Sequence, residues 1–328
     1  MLHQYVERYS GSVITERMMG DHLIRLLYDK VRENSTSLFN LLTSSWSSSL
    51  LSAVNFDLPL SNSASFAARC GINPDEYLEP PESLNTPRKV FERKIRYNEC
   101  RPIPQVPKAV LSPADARVLI GSLQQQSLFL IKNKFFVMEE LLGSANKVWL
   151  TAFNEGDFAI FRLTPDKYHY NHTPVAGEVI DHYQIDGSYH SCNPSAVISV
   201  VTPYSKNKRV VTIIDTDVKG GSQVGLVAMI EVVALMIGDI VQAYSSAGYD
   251  SPQPVSKGMN LLQGQPKSLY RPGSSTDILL FQQGRVQFCP DLIQNQQRRD
   301  VQSRFSLGFG QPLVETDIKV RSLLATAT

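Results

Sequence analysis

Residues 271–288 read RPGSSTDILLFQQGRVQF: turn-forming residues first, then the apolar run Ile278 to Phe281, then Gln282-Gln283-Gly284 and the segment Arg285 to Phe288. A short apolar run bounded by Pro, Gly and Ser reads as a buried strand, and Gln282-Gln283-Gly284 reads as a hairpin turn joining two strands. Working outward, Ala196 to Val201 and Arg209 to Ile214 are further β-rich runs set between turn residues. From about Val110 onward the chain is therefore expected to form a mainly antiparallel, β-rich region.

The N-terminal part has a different period. Ile14, Met18, Met19, Leu23, Leu26, Leu27 and Val31 recur at spacings of three and four, which suits amphipathic helices. Leu38 to Leu60 follows, serine-rich, with Trp46, Leu50, Leu51, Val54 and Phe56 available to pack on a core or to enter a membrane interface. Pro74, Pro80, Pro81 and Pro87 break helical periodicity and mark an extended connector. The expected class is α+β. A helical region able to associate with a membrane spans 1–68, and a β-rich domain spans 69–328.

Composition excludes some functions. With 42% hydrophobic and 19% charged residues, the 328-residue chain is of the folded kind. Its 32 Lys and Arg against 31 Asp and Glu leave a formal charge of +1, so no global field draws nucleic acid, and any lipid contact must be local. Cys70, Cys100, Cys192 and Cys289 lie far apart without CxxC pairing, which suggests reduced thiols and a reducing compartment. The first residues lack the basic segment and apolar run of a secretory signal. The longest apolar stretch, Val224 to Ile237, is broken by Glu231 and is shorter than the roughly 20 residues a spanning helix needs. A cytoplasmic or peripheral-membrane location is expected.

Two clusters carry candidate chemistry. His169, His172, His182 and His190 lie close together, and Pro165 and Pro174 confine the first two to a short loop or single turn. Such histidines are ordinary core or surface groups, acid–base catalysts or metal ligands, and no third ligand is evident beside the pair. The tract Gly273-Ser274-Ser275-Thr276 reads first as a hydroxyl-rich turn. Alternatively, a serine there attacks the preceding carbonyl, given a base near its hydroxyl and a carboxylate to orient that base.

Seven short segments, taken in order, resemble the phosphatidylserine decarboxylase family. They are Val90 to Ile95 with Arg101-Pro102-Ile103; Ser112-Pro113-Ala114-Asp115-Ala116-Arg117; Phe135 to Gly143; RLTPDKYHYNHTPVAGEV at 162–179; Asp186 to Pro194; Asn207 to Val211; and the serine tract. The resemblance implies a self-cleaving carboxy-lyase whose cofactor is a pyruvoyl group generated from Ser275, with no metal. By position, Asp115 and His172 would activate Ser275, and His169 would serve the decarboxylation half of the chemistry as its acid. Ser274 stands where the family has glycine, so the cleaved bond is either Gly273–Ser274 or Ser274–Ser275; counting back from Phe281 favours Ser275. Cleavage there would leave a large chain to about 274 and a small chain from 275. The implied substrate is phosphatidylserine, converted to phosphatidylethanolamine and CO2. The alternatives are a soluble relative acting on a free amino acid, an aromatic one for example, or an uncleaved non-enzymatic relative. A homodimer and peripheral membrane contact are compatible with the resemblance.

Overall fold

The apolar run 278–281 lies in a seven-residue strand, Ser275–Phe281, buried along its whole length. The structure, a computed structural model, describes residues 2–328 apart from 19, 45, 48, 49, 51–55, 57–62, 125–134, 201, 236–238 and 274. In chain order the described strands are β1 (Gln4–Glu7), β2 (Val13–Thr15), β3 (Ala109–Leu111), β4 (Ala116–Ser122), β5 (Asp157–Leu163), β6 (Tyr170–His172), β7 (Gly177–Ile185) and β8 (Arg209–Asp215). They continue as β9 (Leu226–Val233), β10 (Ile240–Gln242), β11 (Asn260–Leu261), β12 (Pro266–Tyr270), β13 (Ser275–Phe281), β14 (Val286–Phe288), β15 (Thr316–Ile318) and β16 (Leu323–Ala327).

Ten of them form one sheet in the order β11-β7-β8-β9-β13-β5-β4-β15-β1-β2, and two three-stranded sheets, β10-β12-β6 and β14-β16-β3, complete the β structure. Every neighbouring pair is antiparallel except β1 with β15. The expected α+β class, with a large and mainly antiparallel sheet, is what is found. Side chains alternate across the sheet. Leu279 and Phe281 of β13 face a core shared with the two small sheets, while Ile278 and Leu280 face Leu141, Val197, Tyr204 and Phe305 on short helices covering the other side. β13 thus lies in the middle of a sheet covered on both faces, which is why its run reads as continuously apolar.

Three local expectations are corrected. Arg285 to Phe288 does not pair back onto Ile278 to Phe281: β13 is already bonded to β5 and β9 along both edges, so β14 leaves the sheet and pairs with β16. Of the expected strand Ala196 to Val201, residues 196–199 are helical and Val201 lies outside the described residues. Pro194 occupies the first turn of a helix, Pro194–Ser199, and Asn193 caps it by accepting from Ser195 N–H at 2.9 Å. The N-terminal part holds helical segments between 21 and 42, but two strands precede them. β1 and β2 join the large sheet, and Ile14 lies in β2.

That junction is sealed by buried charge. Arg162 reaches Glu16 at 2.7 Å and Glu315 at 2.6 Å, Arg117 reaches Glu16 at 2.7 Å, and His3 Nε2 lies 2.8 Å from Glu315. His3, Glu16 and Glu315 are close enough together to hold a cation. The two guanidiniums already balance the two carboxylates, so the cluster reads as an ion-pair staple.

Candidate active site

Ser275 opens β13, opposite Val233 on β9 and Leu163 on β5. Its side chain shares the face of Leu279 and Phe281, under the small sheet that carries β6 and β12. The hydroxyl is fully buried and has no hydrogen-bond partner among the described residues. Such a group is rare in a folded interior and asks for an explanation. Gly273, two residues earlier, has φ 152°, a value open to glycine and strained for other residues. Ser274, the other candidate for cleavage, lies outside the described residues.

The two histidines do not form a helical pair. His172 ends β6 and His169 immediately precedes that strand. The His172 ring is held at both nitrogens: Nδ1–H donates to the Gly264 carbonyl at 2.9 Å, so Nε2 is the lone-pair nitrogen and accepts from Tyr168 O–H at 3.0 Å. Gly264 has φ 74°, which turns that carbonyl towards the ring without steric cost. Tyr168 is in turn 2.6 Å from Tyr249, whose oxygen receives Ile95 N–H at 3.1 Å. Burial pulls the His172 pKa down to about 3, so the ring is neutral near pH 7 and its basic nitrogen is occupied by a tyrosine.

Asp115 precedes β4 and touches Arg101, with no hydrogen bond to His172. Arg101 spans both carboxylate oxygens at 3.1 and 2.8 Å, and Val320 N–H donates to Oδ1 at 2.8 Å. Burial presses this carboxyl upward, yet the Arg101 guanidinium outweighs it and holds the group below the ordinary carboxylate range. Asp115 nevertheless lies near enough to His172 to favour its charged form. A cleft of about 470 Å³ borders this pair through Arg101 and Val320, but Ser275, His169 and His172 do not line it.

His169 stacks on Phe91 with ring centroids 3.6 Å apart, and neither ring nitrogen makes a well-formed hydrogen bond among the described residues. Burial, with Arg93 adding to it, lowers its pKa to about 3. His182 and His190 belong elsewhere. His182 meets Thr212 at 3.1 Å across the β7–β8 pair, and His190 stacks on Phe39 with centroids 5.8 Å apart.

Several residues of this neighbourhood stand out less in the sequence. Tyr168 is one letter of a motif, Arg101 shows no partner, Glu231 reads as a break in an apolar run, and Asp277 falls at a turn-to-strand boundary. The available signal was a charge inside an apolar strand, since both Glu231 and Asp277 are fully buried in adjacent strands and face each other in register.

Known proteins resemble this chain along most of its length. The sequence profile described as phosphatidylserine decarboxylase matches residues 88–311. A phosphatidylserine decarboxylase proenzyme of Fusobacterium nucleatum is 28% identical over 310 residues, 93% of this chain and 95% of that protein. One from Chlamydia trachomatis is 31% identical over 299 residues, covering 88% of this chain and 90% of its own length. Phosphatidylserine decarboxylase proenzyme 3 of Schizosaccharomyces pombe is 28% identical over 295 residues, 88% of this chain but 28% of that larger protein.

Proposed function

The chain belongs to the phosphatidylserine decarboxylase family and is therefore a carboxy-lyase; on that premise we propose that it converts phosphatidylserine to phosphatidylethanolamine and CO2 with a pyruvoyl group made from its own Ser275. The observation that carries this reading is the buried Ser275 hydroxyl at the head of the central strand, without a hydrogen-bond partner among the described residues. Maturation would begin when Ser275 Oγ adds to the carbonyl carbon of residue 274 and takes the acyl group as an ester. Elimination from that ester and uptake of one water release ammonia, leaving a small chain blocked at 275. A pyruvoyl group there supplies a carbonyl that takes the substrate amine and withdraws electrons from the carbon losing CO2.

The remaining roles fall to His172, Asp115 and His169. His172 is the base for Ser275. Its Nε2 becomes available once the Tyr168 hydroxyl turns away, and the Gly264 carbonyl then keeps the ring oriented. Asp115, fixed by Arg101, favours the proton's arrival on that ring. His169 serves the decarboxylation half. Its ring, stacked on Phe91 and neutral because burial lowers its pKa to about 3, orients the departing carboxylate.

Mass spectrometry of the purified protein tests cleavage. Expected are one chain ending at 274 and a second, from 275 to 328, with a blocked N-terminus. Ser275→Ala should give a single uncut chain, and Ser274→Ala should still cleave; an uncut wild type would sink the reading. The substrate is tested by CO2 release from phosphatidylserine vesicles against a panel of free amino acids, aromatic ones included. Peripheral membrane contact is part of the proposal, supported by Leu23, Leu26, Leu38, Leu41 and Trp46, exposed at 45 to 72% on the N-terminal segments. We place the enzyme at a membrane surface in a reducing compartment; dimerisation is a further expectation, to be measured by sedimentation.

A further inference from the structure

Asp277 is an unusual residue for its position. It is fully buried inside the central strand, two positions after Ser275 on the same face, and directly opposite Glu231 on β9. Two carboxylates facing each other in a sheet interior would repel strongly if both were ionised.

The surroundings decide which of them is charged. Glu231 takes the buried ammonium of Lys267 at 2.6 Å, and Gln242 at 3.0 Å, on Oε2. Its Oε1 accepts from Ser268 and, at 3.4 Å, from Asn171. Asp277 receives none of these. Its Oδ1 lies 2.7 Å from Tyr270 Oη, which is also 3.1 Å from the Thr276 carbonyl and receives Val232 N–H at 3.1 Å. One phenol hydrogen cannot serve both the carboxylate and the carbonyl. A carboxylic acid donating from Oδ1 to Tyr270, with Tyr270 donating to Thr276, satisfies all of these groups. Burial and the neighbouring Glu231 push the Asp277 pKa in the same direction, well above the carboxylate range. Oδ2 is then left over. Like the Ser275 hydroxyl, it is buried without a partner among the described residues. Two residues along a strand separate the two positions by about 7 Å, room for a small group between them.

We propose that Asp277 is the acid of this site: held as a neutral carboxyl beside Ser275, it gives its proton to the substrate carbon from which the carboxylate departs. The inference rests on the functional reading above. In the step, the carbon–carboxylate bond breaks, CO2 leaves, and the electron pair stays with the carbon. The Asp277 O–H bond then breaks as the new C–H bond forms, leaving Asp277 as a carboxylate. A proton from water restores it when product leaves. With the proton on Oδ2, the Tyr270 hydroxyl swings to donate to Oδ1 and releases the Thr276 carbonyl, so presenting the proton to the substrate costs one hydrogen bond.

The test is Asp277→Asn, which keeps the shape and the Tyr270 contact but holds no transferable proton. Cleavage should remain complete by mass spectrometry, while kcat for CO2 release and product formation falls by about a hundred- to ten-thousand-fold with KM little changed. A readout independent of turnover uses the uncleaved Ser275→Ala chain with aspartate carboxyls labelled by carbon-13. Its infrared spectrum should show an isotope-shifted band of a neutral, buried carboxylic acid, lost when Asn replaces Asp277. Absence of any such band overturns the proposal even if the Asn variant fails to fold. So does a kcat within about three-fold of wild type, well short of what acid catalysis contributes, or an Asn variant of normal melting temperature that no longer cleaves. If the wild type neither cleaves nor releases CO2, the functional reading fails instead, and the infrared result still reports on Asp277.

Discussion

Asp115 and His172 are each held by a different neighbour: Arg101 clamps the carboxylate and Tyr168 caps the imidazole. The Asp115–Arg101 pair is almost wholly buried. Replacing Asp115 by Asn leaves Arg101 one charge short, since its second partner Glu76 is more exposed, and should cost about 3–5 kcal/mol in chemical denaturation. A loss of cleavage in that variant would thus combine chemistry with stability, and Arg101→Lys should reproduce part of both. Motif order made Asp115, His172 and Ser275 legible as candidates. It could not reveal which side chain occupies which lone pair, because Tyr168, Arg101 and Gly264 reach their partners through folding rather than spacing.

Among elements, β13 is the one whose sequence and structure agree best. Its run is apolar because both faces are covered, and Leu280→Ala, fully buried against the helical layer, should cost about 2–5 kcal/mol by thermal or urea unfolding. Arg209 to Ile214 was legible as a strand for the same reason, whereas the hairpin at Gln282-Gln283-Gly284 was not. Turn chemistry specifies where a chain reverses, but which edge the next segment finds depends on the edges still open. The N-terminal helical segments were legible by period, though not the solvent exposure of their leucines. Changing Leu23, Leu26, Leu38 and Leu41 to Glu should abolish flotation with anionic vesicles while leaving cleavage in solution intact; flotation that persists would assign the membrane contact to another surface.

Across the whole molecule, buried histidines make stability fall on the acid side of neutrality. His169 and His172, with pKa values of about 3, and His190, about 4, are all depressed by burial from an ordinary 6.5. The unfolded chain therefore binds more protons than the folded one below the ordinary value, and stability is lost as pH falls from there towards the folded values. Each group contributes a slope of about 1.4 kcal/mol per pH unit. Asp277, raised rather than lowered, acts in the opposite sense and offsets one of them. The melting temperature should fall on going from about pH 7 to about pH 5. The same scan on Asp277→Asn should be steeper, since the opposing group is gone.

β13 would begin the small chain, yet β5 and β9 on either side of it belong to the large one, and β15 and β16 of the small chain pair with β4 and β3 of the large. Severing the chain before β13 after the sheet has closed would leave two polypeptides woven through one another. Their native state would then have a history, reachable from one continuous polypeptide but not readily from the pieces. Refolding from denaturant should return the uncut Ser275→Ala protein at a yield independent of dilution. The matured enzyme should recover poorly, and less as it is diluted, because its two parts must first meet again as strangers.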